Sequence, residues 1–541
     1  MLKGSFEKRI SKPIVTLATI GISLGIAVMI VSMSVAVGFQ TEVRDKVLGF
    51  GGHVQITKVF SNDAQETSKM EKSQYWIADL MQEESIKSIH QIAYKPGIIQ
   101  SRNTIDTNNA GKDLRDMSGM IFKGIGQDYD YEFLAANLSD GKIPKFEVKG
   151  VRNDSILISK YTSNQLQVSV GEKVTCFFVS EDGPKQKNKV IGGIYETGLE
   201  DFDKKFAFID IYEINNINGW GIETFVSIEE NCTSGLLILK ASTFGGNGNY
   251  KYQWNGSSYS EADRIPLCLE SDTTIITLIS TDFEYSSYLD EPSPSSIPDT
   301  ATLTIVSKPN LTCSCASESE NLLVNYVNDS VTEYISNDIS ISTLLQTSGG
   351  TYDNYCGGFE VIMKDFESLQ EGKKTVQFYT DNLLHIQSIT ERNEDIFNWL
   401  GMLDLNVYII IGLMILVAVI NMTSALLVII LERTKMIGIL KSLGTTNWSI
   451  RKIFLLNGGF IIIKGIIYGN IVAFSIIIIQ NTTGFLTLSQ SNYYVSVVPM
   501  HFLLWQTIAV NVGAYLICNL ALILPSYIIT RINPISAIKF E

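Results

Sequence analysis

The sequence predicts an α-helical integral membrane protein with four transmembrane helices, one near the N-terminus and three near the C-terminus, and a large α+β domain between the first and the second. Four runs are long and apolar enough to cross a bilayer core, which needs roughly 20 residues. Only 18% of the 541 residues are charged, whereas about 25% are charged in a typical soluble protein. Residues 39–404 contain both helical and strand patterns.

The four apolar runs predict the topology of the chain. Basic residues beside a span resist translocation and therefore mark the cytoplasmic side of a membrane. Positive charges are in excess at both termini and between the second and third spans, so these segments are predicted to be cytoplasmic. The expected segments are a cytoplasmic N-terminus (1–13), transmembrane helix 1 (14–38), an external domain (39–404), transmembrane helix 2 (405–431), a cytoplasmic loop (432–452), transmembrane helix 3 (453–480), an external loop (481–501), transmembrane helix 4 (502–530) and a cytoplasmic tail (531–541).

The first span has a cleavable signal peptide as its alternative, because a basic start followed by an apolar stretch describes both. The apolar region of a signal peptide typically has about 7–15 residues, and this run is longer. Gly21, Ser23 and Gly25 let a membrane helix pack closely on a neighbour, so we expect a retained anchor. Lys464 in the third span is either a functional intramembrane charge or, as we expect, a side chain that reaches the cytoplasmic interface.

The external region 39–221 predicts an α+β domain that continues at 357–404. The charged stretch Ser73–Ile89 has a helical pattern. The short pieces with strand character are Val54–Ile56, Ile156–Ile158, Val174–Val179 and Phe206–Ile211.

Residues 222–356 differ in composition from the rest and predict an inserted domain. They contain 37 Ser or Thr among 135 residues, and 18 acidic against 4 basic residues, a balance of −14 that equals the net charge of the whole chain. Turn residues flank a strand with alternating aromatics at Tyr250–Trp254, and Ile275–Leu278 and Ala301–Ile305 continue the strand pattern. An immunoglobulin-like β domain is expected, and its Gly-rich turn before the aromatic strand resembles repeats of bacterial surface adhesins.

Five of the seven cysteines fall in this acidic block, where an oxidising compartment permits disulfides. Because five is odd, at least one thiol stays unoxidised or pairs with another molecule, and several connectivities are open. The candidates are Cys232, Cys268, Cys313, Cys315 and Cys356. Cys176 and Cys518 are expected to be small buried hydrophobic residues.

The sequence offers no support for catalysis, metal binding or nucleic-acid binding. The zinc-protease pattern H-E-x-x-H and the phosphate-binding pattern G-x-x-x-x-G-K-[ST] are absent. The four histidines stand singly, so no metal site is expected. A net charge of −14 disfavours binding to phosphate backbones. If the protein uses nucleotide energy, we expect the ATPase to be a separate chain.

The loop 432–452 predicts a short amphipathic helix at the cytoplasmic surface. Its apolar residues recur at helical spacing: Met436, Ile439, Leu440 and Leu443. Gly444 is placed to end the helix, and Thr446 or Asn447 can cap the next one. The helix is either an interfacial anchor on lipid or a docking element for a cytoplasmic partner, with its apolar stripe in a groove and Glu432, Arg433, Lys435 and Lys441 at the rim.

Three segments resemble one family of transport proteins. Glu432–Gly444 (ERTKMIGILKSLG) resembles the coupling-helix motif of FtsX-like and MacB-like ABC transporter permeases, roughly ERxxEIGxLKAxG. Gly38–Ile56 and Arg531–Lys539 are similar to the corresponding parts of lipoprotein-releasing (Lol-type) permease subunits. The resemblance covers everything except 222–356, with 405–541 as the FtsX-like permease domain. Met436 stands where the family commonly has Glu, which puts one polar contact to the ATPase in doubt.

The resemblance implies a non-catalytic permease that works by mechanotransmission in a bacterial inner membrane, with a MacB-like periplasmic domain and cytoplasmic termini. No cofactor is expected in this chain, because ATP would be bound by a cytoplasmic ATPase dimer. The other implied partners are a second permease subunit, identical or not, membrane lipids, a lipoprotein substrate and a periplasmic carrier. The residues expected to couple to the ATPase are Glu432, Arg433, Lys435, Met436, Gly438, Ile439, Leu440, Lys441, Leu443 and Gly444.

Three alternatives to lipoprotein release stay open at this point. An FtsX-like scaffold would relay ATPase motion to a cell-wall hydrolase outside, but such proteins have a much smaller external domain. A permease of the same fold could instead export a small molecule or peptide. A surface receptor or adhesin would use the acidic block 222–356 for binding, and the intact coupling-helix motif counts against it.

Overall fold

The computed structural model divides into two compact units, Met1–Val47 with Thr390–Glu541 and Leu48–Ile389. We call them the membrane unit and the external unit. The structure describes residues 3–59, 66–102, 106–107, 113–114, 116–146, 153–180, 183–231, 236–269, 273–284, 293–307, 323–328, 331–335, 340–489 and 493–531.

The described α-helices are, in chain order, α1 (Lys3–Gly51), α2 (Trp76–Leu80), α3 (Glu132–Ala136), α4 (Lys160–Leu166), α5 (Glu200–Asp203), α6 (Ile211–Ile217), α7 (Leu369–Tyr379), α8 (Ile389–Arg392), α9 (Glu394–Glu432), α10 (Thr434–Ser442), α11 (Asn447–Thr483), α12 (Leu504–Ala521), α13 (Ile523–Ser526) and α14 (Ile528–Arg531).

The described strands are β1 (Val54–Lys58), β2 (Met70–Glu71), β3 (Ile86–Ser101), β4 (Asp106–Thr107), β5 (Asp113–Leu114), β6 (Met117–Ile125), β7 (Leu138–Gly141), β8 (Ser155–Ser159), β9 (Lys173–Ser180), β10 (Gly183–Tyr195), β11 (Phe206–Asp210), β12 (Ile222–Asn231), β13 (Leu236–Gly245), β14 (Tyr250–Trp254), β15 (Arg264–Cys268), β16 (Thr273–Glu284), β17 (Ser293–Pro294), β18 (Asp299–Ser307), β19 (Leu323–Asn328), β20 (Val331–Ile335), β21 (Ser340–Thr347), β22 (Tyr355–Cys356), β23 (Gly358–Met363) and β24 (Leu384–Ser388).

The four predicted membrane spans are confirmed as helices that are long and apolar enough to cross a membrane. The first is longer than its apolar run, because α1 continues to Gly51. The last is broken into α12, α13 and α14. Pro525 lies in this broken stretch, and proline both lacks an amide donor and clashes with the preceding helical turn.

Small residues bring the membrane helices close together. A Cβ on Gly465 of α11 would lie 2.6 Å from the Ile22 side chain of α1, and one on Gly469 would lie 2.7 Å from the Ser23 carbonyl oxygen. A Cβ on Gly21 would lie 2.8 Å from the Asn421 amide nitrogen of α9. These approaches show that the first span packs closely on the other membrane helices. Lys464 is exposed on α11.

The external unit is built on one ten-stranded mixed sheet, in the order β24-β1-β23-β3-β6-β11-β8-β10-β7, with β9 pairing β10 and β3. This confirms the α+β domain and its predicted strands. The predicted helix at Ser73–Ile89 is wrong beyond α2, because Ile86 begins β3. The long strand β3 is fixed by its pairing with β6 and β23, and such tertiary pairing overrides a local helical pattern.

The C-terminal end of α1 is buried in this sheet domain. The Phe50 ring contacts the rings of Phe202 and Phe208 at centroid distances of 4.8 and 6.0 Å. Lys123 of β6 donates to the Phe50 carbonyl oxygen and to both carboxylate oxygens of Glu360 on β23, at 2.9 and 2.8 Å. The helix end is thus held by an aromatic cluster and a buried ion pair.

The predicted insertion forms two sheets that share one hydrophobic core. The sheet β12-β13-β15 contributes residues such as Leu237 and Leu239, and the sheet β14-β16-β18-β21-β20-β19 contributes Trp254 and Leu278. This part of the chain is β-rich, as expected from its composition. Its immunoglobulin-like character stays a prediction.

The two ends of the insertion meet on the core domain. The Ile222 amide donates to Thr351 Oγ1 at 2.9 Å, and the Thr351 amide donates to the Ile222 carbonyl oxygen at 2.9 Å. The buried Asn215 amide donates to the carbonyl oxygens of Tyr352 and Tyr355, at 2.8 and 2.7 Å. Residues 352–356 therefore pack on the core domain, although they lie inside the predicted boundary 222–356.

Candidate functional site

The short helix predicted in the loop 432–452 is present as α10, between the second and third membrane helices. Its capping follows from the sequence. Gly444 has a φ of +89°, a conformation that favours glycine, and its amide donates to the Lys441 carbonyl oxygen at 3.0 Å. Thr446 caps α11 by accepting from the Ser449 amide at 3.3 Å. The predicted stop and the predicted cap are both confirmed.

One face of α10 packs against the membrane helices. Ile437 and Gly438 are buried, and Leu440 packs against the hydrophobic core of the membrane unit. A charged residue at any of these positions would face the bundle.

The opposite face carries three apolar side chains in the open. Met436 is 39% exposed, Ile439 is 52% exposed and Leu443 is 76% exposed. Spacings of three and four residues place them side by side on the helix surface. We call these three residues the exposed trio. Leu440, the fourth member of the predicted stripe, lies on the packed side instead.

The four charged residues predicted at the rim have different surroundings. Arg433 and Lys435 are exposed, and Glu432 is half-buried. Lys441 instead donates to the carbonyl oxygens of Ile529 and Thr530 at the end of the last membrane helix, at 2.7 and 3.3 Å. Partial burial lowers the Lys441 pKa from its usual value.

The exposed trio on α10 is suited to hydrophobic docking. We identify no catalytic or metal site among the described residues. Within the described ranges, no cluster of three or more His, Cys, Asp or Glu side chains could hold a metal ion. Gly21-Ile-Ser-Leu-Gly25 matches the G-x-S-x-G pattern of hydrolase nucleophiles. It lies inside α1, whereas that nucleophile needs a strand-to-helix turn.

A polar cavity in the membrane unit was not foreseen from the sequence. It has a volume of about 440 Å³ and is lined by Glu42 and Lys46 of α1, the end of α11 and residues 495–501. The Gln480 amide at the end of α11 donates to the carbonyl oxygens of Leu486 and Val498, at 3.1 and 3.2 Å. Gln480 thereby organises the loop before α12.

The cysteine candidates are only partly described. Cys268 is disulfide-bonded and Cys356 is a buried thiol. Cys176 and Cys518 are also buried thiols. The other three candidates, Cys232, Cys313 and Cys315, lie outside the described residues.

Comparison with known proteins agrees with the geometry of the membrane unit. Residues 408–534 match the family model for the FtsX-like permease C-terminal domain. The matched segment includes α10, so this part of the chain is similar to an FtsX-like permease domain.

Two curated relatives support the same class of protein. Both are described as "Lipoprotein-releasing system transmembrane protein LolC", from two strains of Xylella fastidiosa, and each is 23% identical over 206 residues. The match covers 37% of this chain and 44% of each relative. The chain therefore spans less than half the length of the relatives it matches.

A solved structure also matches part of the chain. It is the extracellular domain of a noncanonic ABC-type transporter, YknZ, from Gram-positive bacteria. The match covers 30% of this chain and 74% of that domain, at 12% identity and with a TM-score of 0.19. A score this low supports no argument about the external unit.

Proposed function

We propose that this chain is the non-catalytic permease subunit of an ABC transporter that works by mechanotransmission, and that α10 receives the motion of a cytoplasmic ATPase. The exposed trio carries the proposal, because it lies on a helix inside the segment matched by the FtsX-like permease model. Three large apolar side chains on one face of a helix are what helix-in-groove docking uses.

The proposed partners follow from the permease class. A cytoplasmic ATPase dimer would bind α10 of two permease subunits, and closure of the ATPase on ATP would push on both. The second permease subunit is either an identical chain or a related one. The proposed location is a bacterial inner membrane, with both termini in the cytoplasm and the external unit in the periplasm.

We propose lipoproteins as the substrate, on the strength of the LolC relatives and the Lol-like segments after the first span and at the C-terminus. Moving an acyl chain from a bilayer into water costs about 0.8 kcal/mol per CH₂, on the order of 10 kcal/mol for one long chain. A release system therefore needs an energy source, an apolar path and a periplasmic carrier. These requirements match a permease driven by an ATPase.

For the insertion, we propose the immunoglobulin-like arrangement expected from its pattern of turns and strands. The order β12-β13-β15 in one sheet and β14-β16-β18 in the other corresponds to the A-B-E and C-F-G strands of that sandwich.

The docking step is tested with Ile439→Asp in the full chain, by measuring how much P-loop ATPase co-purifies from native membranes. We expect a loss of about tenfold or more, because a charge replaces a hydrophobic side chain that docking would bury. Thr482→Asp is the matched control, since Thr482 is exposed at the other end of α11. Equal ATPase recovery with both variants would contradict the docking role.

The substrate is tested by depleting the protein and measuring acylated N-terminal peptides of the inner membrane by mass spectrometry. Accumulation of lipoproteins there would support release. An unchanged inventory with altered cell-wall cleavage would favour a signalling scaffold instead, and an unchanged inventory with altered efflux would favour export of a small molecule or peptide.

A further inference from the structure

The last membrane helix is interrupted just before its cytoplasmic end. Near Pro525 the helix tightens, since the Tyr527 amide donates to the Leu524 carbonyl oxygen at 3.1 Å. In a regular α-helix that amide would donate to the Ile523 carbonyl oxygen. The interruption and the helix end together leave carbonyl oxygens that need donors from elsewhere.

Two basic residues from the α10–α11 region supply these donors. Lys441 of α10 donates to the Ile529 and Thr530 carbonyl oxygens of α14, at 2.7 and 3.3 Å. Arg451 of α11 donates to Ser526 Oγ at 3.1 Å, and its guanidinium lies 6.0 Å from the centre of the Tyr527 ring.

The arrangement is stabilised by more than the individual hydrogen bonds. A cation near the C-terminal end of a helix also interacts favourably with the helix dipole. Ser526 is fully buried and in turn donates to the Ile523 carbonyl oxygen at 2.7 Å. The Arg451 guanidinium itself bonds that carbonyl at 3.5 Å.

We propose that Lys441 and Arg451 are positioning residues that bind the end of the last membrane helix to α10 and to the start of α11, so that motion imposed on α10 reaches this helix directly. This inference rests on the proposed function, because it names the route by which docking at the exposed trio is transmitted. The loop α10–α11 then moves together with α13 and α14 rather than with α9 and α11 alone.

The first test needs no ATPase and uses hydrogen exchange of the full chain in lipid nanodiscs. Lys441→Met keeps the apolar stem and removes the donor. We expect amide exchange in residues 523–531 to rise about fivefold relative to the unmodified protein. Lys435→Met is the matched control, since Lys435 is exposed on the same helix, and Lys441→Arg should restore protection. Equal exchange in Lys441→Met and Lys435→Met would overturn the proposal.

The second test adds the co-purified ATPase and a non-hydrolysable ATP analogue. In the unmodified protein we expect nucleotide to change exchange in both 434–442 and 523–531. Lys441 bonds the last membrane helix and is not part of the exposed trio, which corrects its predicted place at the docking rim. In Lys441→Met the ATPase should therefore still bind and the change in 434–442 should persist, while the change in 523–531 is lost. A retained change in 523–531, or lost ATPase binding, would overturn the positioning role.

Failure of the proposed function is distinguishable from failure of this inference. If the unmodified protein recruits no ATPase, the docking role fails, and transmission fails with it. If the ATPase binds and only the effect of Lys441→Met is missing, the docking role stands and the positioning role is overturned.

Discussion

Lys123 and Lys441 both donate to backbone carbonyl oxygens at the C-terminal end of a membrane-spanning helix, in different units and in different surroundings. Lys123 bonds the Phe50 carbonyl oxygen at the end of α1, and its side chain is only 1% exposed beside the Glu360 carboxylate. Lys441 is partly exposed and bonds the neutral carbonyl oxygens of Ile529 and Thr530.

The difference indicates two kinds of junction. If a buried lysine separates from its carboxylate, an unpaired charge remains in an interior that solvates it poorly. A partly exposed lysine can exchange a carbonyl for water at little cost, because the net gain of such a hydrogen bond is small. The Lys123 junction is therefore expected to contribute much to stability, and the Lys441 junction to contribute little to stability while it positions the end of the last membrane helix.

The largest expected effect is at the buried pair. Lys123→Met should lower the free energy of unfolding of the external unit by about 3–5 kcal/mol, because Glu360 is left buried and unpaired. Thermal unfolding of the detergent-solubilised chain measures it. Lys204→Met, at an exposed ion pair with Glu200, is the control and should change little.

A double variant sharpens this prediction. Lys123→Met with Glu360→Leu should recover much of the loss, because both charges are gone and the site is apolar. Equal melting temperatures for Lys123→Met and Lys204→Met would show that the buried pair does not anchor α1.

Removing the insertion tests whether the core sheet, which contains the Lys123–Glu360 pair, folds without it. Replacing 222–350 by a Gly-Ser dipeptide should preserve membrane insertion and cooperative unfolding, because the insertion ends are hydrogen-bonded neighbours. Deleting 222–356 should cost about 1–3 kcal/mol more, since the Asn215 amide loses its partners. Aggregation of both deletions would show instead that the core needs the insertion.

A smaller effect is expected at the Lys441 junction. Lys441→Met should lower the stability of the membrane unit by about 1 kcal/mol, the usual net value of a hydrogen bond. Differential scanning fluorimetry against Lys435→Met detects it. A loss as large as that of Lys123→Met would abolish the distinction between the two junctions.

The smallest expected effect depends on pH. Burial lowers the pKa of His90, and Lys123 nearby lowers it further while Glu360 opposes this. The unfolded chain then binds a proton at higher pH than the folded one, so this histidine should reduce stability as pH falls below about 6.5. Comparing His90→Asn with the unmodified chain at pH 5 and pH 8 measures it, and an equal pH dependence would contradict it.

Features encoded within short stretches were predictable from the sequence. Hydropathy alone located the four spans, composition located the insertion, and helical spacing with Gly444 and Thr446 defined α10 and the start of α11. The orientation of α10 was not predictable, because Lys441 finds its partners 88 residues away. The same holds for the Lys123–Glu360 pair, separated by 237 residues. The helical pattern at Ser73–Ile89 failed for the related reason that β3 is stabilised by distant strands.

Ile222 and Thr351, at the two ends of the insertion, exchange hydrogen bonds. The external unit can therefore accept another domain at this point. Any folded domain whose own termini are close together could be spliced between Gly221 and Thr351 without stretching the sheet that holds α1. A fluorescent or affinity module placed there would report on the external unit, and related proteins could acquire or lose whole domains at this point while keeping the same membrane machinery.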